Sequence, residues 1–170
     1  YQNIWVYDAT ITLSNKMSTT DRNILHMQIR SDKNVDDGLL VQQKSVDVTN
    51  GQIEKSVNIF VPETTDKLSN FVILQDRETK VRYNLDDSGV IISEKLAKQL
   101  EVSVGGKISI KEENVILGEV TVTAIVENYL YNYMYMTSLQ YEQLYQKAPE
   151  FTQMYLTLHD TSQTAPETRK

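Results

Sequence analysis

The chain has 170 residues, a net charge of −6 and no cysteine. Its length suits one sizeable core or two small lobes, and a content of 40% hydrophobic and 24% charged residues is typical of a folded protein. The acidic balance makes nucleic acid a poor partner because phosphate binding needs a basic surface, and the lack of cysteine excludes disulfides, thiolate metal ligands and a cysteine nucleophile.

The first part of the chain predicts strands with one short helix. A run rich in β-branched and aromatic residues predicts a strand at 4–13. Thr19, Thr20 and Asp21 are candidate helix caps ahead of a short apolar helix face. The chain opens directly on this strand, without a methionine, which suggests a piece of a longer protein.

Residues 39–61 predict a β-hairpin, with Asn50-Gly51 as the turn pair that tolerates positive φ. Pro62 closes its second strand, because proline cannot donate to a ladder. One helical turn, a strand at 71–74 and a short strand at 81–85 are expected after it.

The second part predicts a more regular order of elements. Residues 90–92 form a buried strand, Ser93 caps a helix that ends near the glycine pair at 105–106, and strands follow at 107–110 and 120–126. Another strand at 134–136, a helix from Thr137 or Ser138 to Tyr145, and a last strand at 153–159 complete the pattern. The fold class is therefore α+β, a strand-rich arrangement with short helices. We expect a single domain over residues 1–160, with lobes at 1–84 and 85–160 as an open alternative, and a polar tail at 161–170.

Catalytic and phosphate-binding motifs are not found. The only histidines, His26 and His159, are expected to be structural or surface residues, and no Gly-x-Ser-x-Gly elbow accompanies them. The glycine pair at 105–106 follows a helix and lacks the phosphate-loop spacing, so we interpret it as a turn. No catalytic residue, cofactor or metal site is predicted.

A calcium loop is the nearest alternative to that conclusion. Residues 84–89 place oxygen-bearing side chains at loop positions one, three and five and glycine at six. The twelfth position is Lys95, a cation that would repel the metal, so an Asx-type turn is the favoured interpretation. The acidic pairs at 36–37, 86–87 and 112–113 are expected to lie in solvated turns.

Residues 129–136 contain four alternating tyrosines: Tyr129, Tyr131, Tyr133 and Tyr135. In an extended strand these side chains share one face, and Leu130, Met134 and Met136 share the other. Two interpretations stay open. Either the tyrosine face packs beneath another part of the protein, or it forms an exposed contact surface of the kind enriched at interfaces.

Residues 85–145 resemble the extracytoplasmic domain of FtsX-like, MacB-type ABC transporter permeases. Members of that family have Gly-Val-apolar-Ile-Ser, a Leu-Ala-x-x-Leu helix, a Val-Gly-Asp-x-Ile-x-Ile turn and strand, then Val-x-Val-x-Ala/Gly-Ile-Val, an aromatic residue and Tyr-Met-Ser/Thr. The matching positions are Gly89, Ile92, Ser93, Leu96, Ala97, Leu100, Gly105, Ile108, Ile110, Val120, Val122, Ile125, Val126, Tyr129, Tyr135 and Met136. Gly106 stands where the family usually has Asp, so capping of this turn by a carboxylate is lost. Residues 7–11 also resemble the strand after the first transmembrane helix in large permeases of Gram-positive bacteria.

The resemblance implies a non-catalytic domain inserted between transmembrane helices 1 and 2, on the extracellular face of the cell membrane. The domain itself would be soluble and its parent chain membrane-embedded. Its partners would be the rest of the permease and a separate cytoplasmic ATPase, with peptide, lipid or lipoprotein cargo, and it would handle substrate or transmit a conformational change.

Two other function classes remain as alternatives. A secreted or surface-anchored interaction module would not need its chain ends close together and facing a membrane, whereas a permease insert would. A hydrolase that uses dispersed carboxylates would need a strongly perturbed Asp or Glu in a cleft.

Overall fold

The computed structural model describes residues 5–13, 18–127 and 132–159, so the predicted tail at 161–170 lies outside the described residues. The elements are β1 (Ala9–Thr12), α1 (Thr19–Ser31), β2 (Val35–Asn50), β3 (Ile53–Pro62), a 3₁₀ turn (Leu68–Asn70), β4 (Val90–Ser93), α2 (Glu94–Leu100), β5 (Lys107–Glu112), β6 (Val115–Val126), β7 (Tyr133–Tyr135), α3 (Ser138–Tyr145) and β8 (Gln153–Leu158). No helix within the described ranges is both long enough and apolar enough to cross a bilayer.

Each α-helix begins at a side-chain cap. The Ser93 hydroxyl accepts a hydrogen bond from the Leu96 amide, and the Thr137 hydroxyl accepts one from the Gln140 amide, as predicted for α2 and α3. For α1 the prediction was wrong by one residue. Ser18 is the cap, and it exchanges hydrogen bonds with Asp21 in a capping box.

The β2–β3 hairpin is the longest element pair, and its turn is shifted by one residue from the prediction. Asn50 pairs with Ile53, so the two loop residues are Gly51 and Gln52. Gly51 has a φ of +63°, while Gln52 is not among the residues with positive φ. Glycine at the first loop position is the arrangement of a type II′ turn, which matches the twist of the strands.

The eight strands form one sheet in the order β1-β8-β2-β3-β7-β4-β6-β5. β5 also pairs with β2, at Asp47–Thr49. The ring closed by this pairing contains six strands, in the order β2, β3, β7, β4, β6 and β5. β1 and β8 extend the sheet beyond this ring. The strand pairing crosses the predicted lobe boundary at residue 84, since β2 and β3 pair with β5 and β7.

Three apolar clusters follow from this arrangement. The ring core lies inside the six strands, where every ring strand contributes aliphatic side chains and α2 and α3 add more. Its buried members are Val46, Val48, Val57, Ile59, Val61, Val90, Ile92, Leu96, Ala97, Leu100, Ile108, Ile110, Val120, Val122, Met134, Met136 and Tyr141. The third cluster, the α1 cluster, contains Ile29, Leu40, Phe151, Met154 and Leu156.

The outer cluster lies on the other face of the ring strands and is rich in aromatic residues. Its buried members are Leu39, Val41, Phe60, Leu68, Phe71, Val72, Leu74, Leu85, Ile91, Ala124, Val126, Tyr133, Tyr135 and Tyr155. Strand residues that are neighbours in sequence therefore point into different cores, which is the expected consequence of the twofold periodicity of a strand.

Residues 63–89 cover the outer cluster without forming a strand. The strands predicted at 71–74 and 81–85 are each reduced to an isolated bridge, Trp5–Val72 and Gln75–Arg82. Phe71 and Leu74 are buried against the face of the sheet. The run is therefore apolar because it packs on the sheet, and not because it pairs within it. At the end of this segment Gly89 is required by a close approach, because a Cβ there would lie 2.3 Å from the Thr121 carbonyl oxygen.

Other predicted boundaries moved by smaller amounts. β6 begins at Val115, five residues before the predicted start, because it pairs with β5 up to the hairpin turn. The acidic pair at 36–37 lies in β2 at a register shift, where a turn was predicted. There Asp37 accepts a hydrogen bond from the Lys67 ammonium at 2.7 Å.

Candidate contact surface and aromatic cluster

β7 carries the second half of the tyrosine stripe and lies in the middle of the sheet, between β3 and β4. Tyr133 and Tyr135 point into the outer cluster, whereas Met134 and Met136 point into the ring core. The predicted alternation is therefore correct. Both faces are buried, because apolar clusters cover a central strand on each side.

The burial decides between the two interpretations of the stripe where the structure describes it. Tyr135 has no exposed surface and Tyr133 is 9% exposed, so the contact-surface prediction is wrong for these two residues and the packing alternative is correct. Tyr129 and Tyr131 lie outside the described residues. For them the contact surface stays a prediction.

The rings of the outer cluster form a continuous network of edge-to-face and tilted contacts. Phe60 lies 5.4 Å from Tyr135 and 5.7 Å from Tyr155, measured between ring centroids. Trp5 lies 5.4 Å from Tyr133, and Tyr7 lies 4.4 Å from Tyr155. These separations are within the favourable range for aromatic pairs, so the segment that precedes β1 is held against the sheet by ring contacts.

A polar group borders this cluster at the start of β8. The Gln43 side-chain amide donates a hydrogen bond to the Gln153 side-chain oxygen at 2.8 Å and another to the Tyr155 hydroxyl. Burial raises the pKa of Tyr155 well above its usual range, and the nearby Tyr7 and Tyr133 hydroxyls add to this effect. Tyr155 is therefore neutral over the physiological pH range.

A second aromatic group lies on the ring-core side, and it was not predicted from the sequence. The Lys44 ammonium lies 4.0 Å from the centroid of the Tyr145 ring and 3.1 Å from a Glu112 carboxylate oxygen. Tyr141 stacks on Tyr145 at 4.2 Å. The i, i+4 spacing of these tyrosines on α3 is the one signal that could have indicated the stack, and Lys44 has no comparable signal because it is distant in sequence.

The histidines and the 84–89 loop have structural partners. The His26 Nε2 atom lies 2.7 Å from a Glu63 carboxylate oxygen, and the His159 Nδ1 atom lies 3.9 Å from Asp36. Asp86 accepts hydrogen bonds from the amide and the hydroxyl of Ser88, which is the predicted Asx-type turn. These hydrogen bonds lower the pKa of Asp86 below its usual value.

The described residues form no metal centre. Within residues 5–13, 18–127 and 132–159, no three or more His, Asp or Glu side chains converge as metal ligands. A groove of about 510 Å³ lies beside the 3₁₀ turn, lined by Leu68, Val72, Leu74, Tyr83 and other residues of the covering segment.

The first and last described strands are antiparallel neighbours. Ala9 at the start of β1 lies opposite Leu156 in β8. The Asp8 amide donates a hydrogen bond to the Leu156 carbonyl at 2.8 Å, and the Leu158 amide donates one to the Asp8 carboxylate at 2.7 Å. The chain therefore enters β1 and leaves β8 side by side, at the same end of the sheet.

No protein-family model and no curated protein matches the chain by sequence. Comparison with solved structures finds matches. The extracellular domain of the noncanonic ABC-type transporter YknZ from Gram-positive bacteria superposes with a TM-score of 0.61 at 14% identity, over 92% of this chain and 86% of that chain. The periplasmic region of MacB from Actinobacillus actinomycetemcomitans gives a TM-score of 0.56 at 12% identity, over 94% and 79% of the two chains. A domain from Porphyromonas gingivalis that is named as a permease protein gives 0.50 at 14% identity, over 85% and 74%.

At these identities the likeness is one of fold. The chain has the fold of MacB-type extracytoplasmic domains, and the predicted α+β class and the resemblance stated from residues 85–145 are both confirmed at that level. The superposition extends over nearly the whole chain, well beyond the residues that carried the resemblance.

Proposed function

We propose that this chain is a non-catalytic extracytoplasmic domain of an ABC transporter permease. The observation that carries the proposal is the antiparallel pairing of β1 with β8, since an insert between two membrane-spanning helices must leave and return on the same side. The fold is that of two transporter domains that lie outside the cytoplasm, which supports the same location for this chain.

In this proposal the domain lies on the extracellular face of the membrane and transmits a conformational change or handles substrate. The energy comes from a separate cytoplasmic ATPase, and the remainder of the permease connects the two. Residues 1–160 act as one extracytoplasmic unit, which is supported by the pairing of β2 and β3 with β5 and β7 in a single sheet. Peptides, lipids or lipoproteins are the expected cargo, and Tyr129 and Tyr131 are the expected contact residues.

The location can be tested with a single engineered thiol in the full-length protein. Val104 is 59% exposed in the turn before β5, and this part of the protein contains no cysteine of its own. We expect Val104→Cys to react with a membrane-impermeant maleimide in intact cells and to fractionate with the membrane. A Val41→Cys variant at a fully buried position is the matched control, which should react only after denaturation.

The rival outcomes are distinct. If the thiol reacts only after the cells are permeabilised, the domain faces the cytoplasm and the proposal is wrong. If the thiol reacts from outside but the protein is found in the medium or the cell wall without a membrane span, the chain is the secreted interaction module.

A further inference from the structure

β2 has an uneven arrangement of partners along its two edges. On one edge β3 pairs with residues 41–50 without a break. On the other edge β8 pairs with residues from Val35 to Val41, and β5 pairs with Asp47–Thr49. No described strand pairs with residues 42–46 on that edge, and we call this stretch the β2 gap.

The side chains of the β2 gap separate two apolar clusters that lie on one face of β2. Leu40 belongs to the α1 cluster, and Val46 belongs to the ring core. Between them the same face carries Gln42 and Lys44, which are polar. Gln42 is only 5% exposed, and its side-chain oxygen accepts no hydrogen bond from the described residues. The two apolar clusters are therefore not continuous on this face.

On the opposite face of the β2 gap, side-chain hydrogen bonds and ring contacts connect β8 with β2 and β3. Gln43 donates hydrogen bonds across to Gln153 and Tyr155 of β8. Tyr155 also contacts Phe60 of β3 in the outer cluster. Movement between the two parts of the sheet would keep this aromatic side in contact and would open the side of Gln42 and Lys44.

α1 and α3 are both attached at the end of β3, at the adjacent residues Glu63 and Pro62. α1 is attached through His26, which contacts the Glu63 carboxylate at 2.7 Å. α3 is attached through Ser138, whose hydroxyl donates a hydrogen bond to the Pro62 carbonyl at 2.8 Å. Both attachment points therefore lie at the end of β3, beside the β2 gap.

We infer that the β2 gap is a hinge, about which α1, β1 and β8 rotate relative to the six-strand ring. Opening there brings water to the polar side chains of Gln42 and Lys44, which water can hydrogen-bond, so it costs less than exposing two continuous apolar surfaces. Hinges are commonly a few residues that absorb the change between two packed bodies. The inference concerns this fold alone and holds whether or not the chain belongs to a transporter.

Spin-label distances across the hinge test it directly. Gln28 on α1 and Glu142 on α3 are exposed, and both can be replaced by cysteine for labelling, while Lys95 on α2 with Glu142 gives a control pair on one side of the hinge. We expect the distance distribution of the Gln28→Cys/Glu142→Cys pair to be broader than that of the Lys95→Cys/Glu142→Cys pair. The double substitution Gln42→Leu/Lys44→Met joins the apolar clusters and should narrow the first distribution while leaving the control pair unchanged. A first distribution as narrow as the control, or one that the double substitution does not narrow, would overturn the hinge.

Hydrogen exchange gives a second measurement that needs no substitution. The Val41 carbonyl accepts a hydrogen bond from the Thr152 amide on the gap edge, so the amides of Gln43 and Ser45 face the β2 gap and those of Gln42 and Lys44 face β3. We expect the first pair to exchange faster than the second by on the order of tenfold or more. Equal protection of all four amides would show that the gap is closed, and the hinge would be wrong. Neither result bears on the membrane location of the protein.

Discussion

The ring core and the outer cluster lie on opposite faces of the same strands, yet they are enclosed in different ways. Ile59 and Phe60 are neighbours on β3 and both have no exposed surface, but the first lies in the ring core and the second in the outer cluster. Strand pairing closes the ring core, which is largely aliphatic. The outer cluster is covered by residues 63–89 and by Trp5, and these form almost no regular structure.

The difference shows that irregular chain can cover a core when the side chains beneath it are large. Aromatic rings bury a large area each and contact one another at many angles, so they do not require a regular element above them. In the ring core the closed ring of strands itself encloses the aliphatic side chains and packs them closely.

Alanine substitutions at the two neighbours provide the strongest test of this difference. Phe60→Ala should lower the free energy of unfolding by about 4 kcal/mol and Ile59→Ala by about 3 kcal/mol, because each leaves a cavity in a closed core. Urea denaturation measures both, with Ile116→Ala at a 64% exposed position as a control expected to stay within about 0.5 kcal/mol. If Phe60→Ala costs less than about 2 kcal/mol, residues 63–89 do not enclose the outer cluster in solution.

Removing a polar group at the border of the outer cluster should change the free energy of unfolding by less than the alanine substitutions do, and in a way that depends on pH. Tyr155→Phe removes the hydroxyl that accepts a hydrogen bond from Gln43 and should cost about 1 kcal/mol at neutral pH. Burial raises the pKa of Tyr155 in the folded state. The contribution of its hydroxyl to the free energy of unfolding is therefore present in full below the ordinary tyrosine pKa of about 10, and it is lost as the pH rises above that value.

Unfolding measured at about pH 8 and about pH 11 checks the sign of this effect. The stability advantage of the parent over Tyr155→Phe should shrink or reverse at the higher pH. An advantage that stays constant across this range would mean that the Tyr155 hydroxyl is hydrated in the folded state.

The smallest effect on stability is expected at the first two tyrosines of the stripe. If Tyr129 and Tyr131 are contact residues, replacing both with serine should change the free energy of unfolding by less than about 0.5 kcal/mol, whereas Tyr133→Ser should cost about 3 kcal/mol. A photo-crosslinking phenylalanine analogue at position 131 of the full-length protein should capture a partner or cargo in cells, and at position 133 it should capture none. A large loss of stability on substitution at 129 and 131 would place these rings in a core.

Local signals account for the parts of the fold that the sequence predicts well. Ser93 and Thr137 are each followed by an apolar helix face within one turn, so the starts of their helices are predicted to within a residue. The end of α2 was predicted wrongly, because the helix stops at Leu100 and not near the glycine pair at 105–106. The α1 cap was missed by one position because Ser18, Thr19, Thr20 and Asp21 are all good capping residues, and only the capping-box geometry selects Ser18.

Non-local pairing accounts for most of what the sequence does not predict. The contact of β2 with β5 joins residues about sixty positions apart, and no residue pattern in either strand indicates it. The run at 71–74 is apolar whether it pairs in a sheet or covers one, so its conformation depends on the neighbours it meets. The burial of Tyr133 and Tyr135 likewise follows from the central position of β7, which the stripe itself cannot reveal.

The unequal exposure of the methionines has a chemical consequence for a protein that meets oxidants. Among the described methionines, Met27 is 65% exposed, whereas Met134, Met136 and Met154 have no exposed surface. Peroxide therefore reaches the Met27 sulfur in the folded chain, and the other three sulfurs only when their cluster opens. Sulfoxide formation at Met134 would record opening of the ring core and at Met154 opening of the α1 cluster, so until a reductase reverses it the oxidation marks which part has opened.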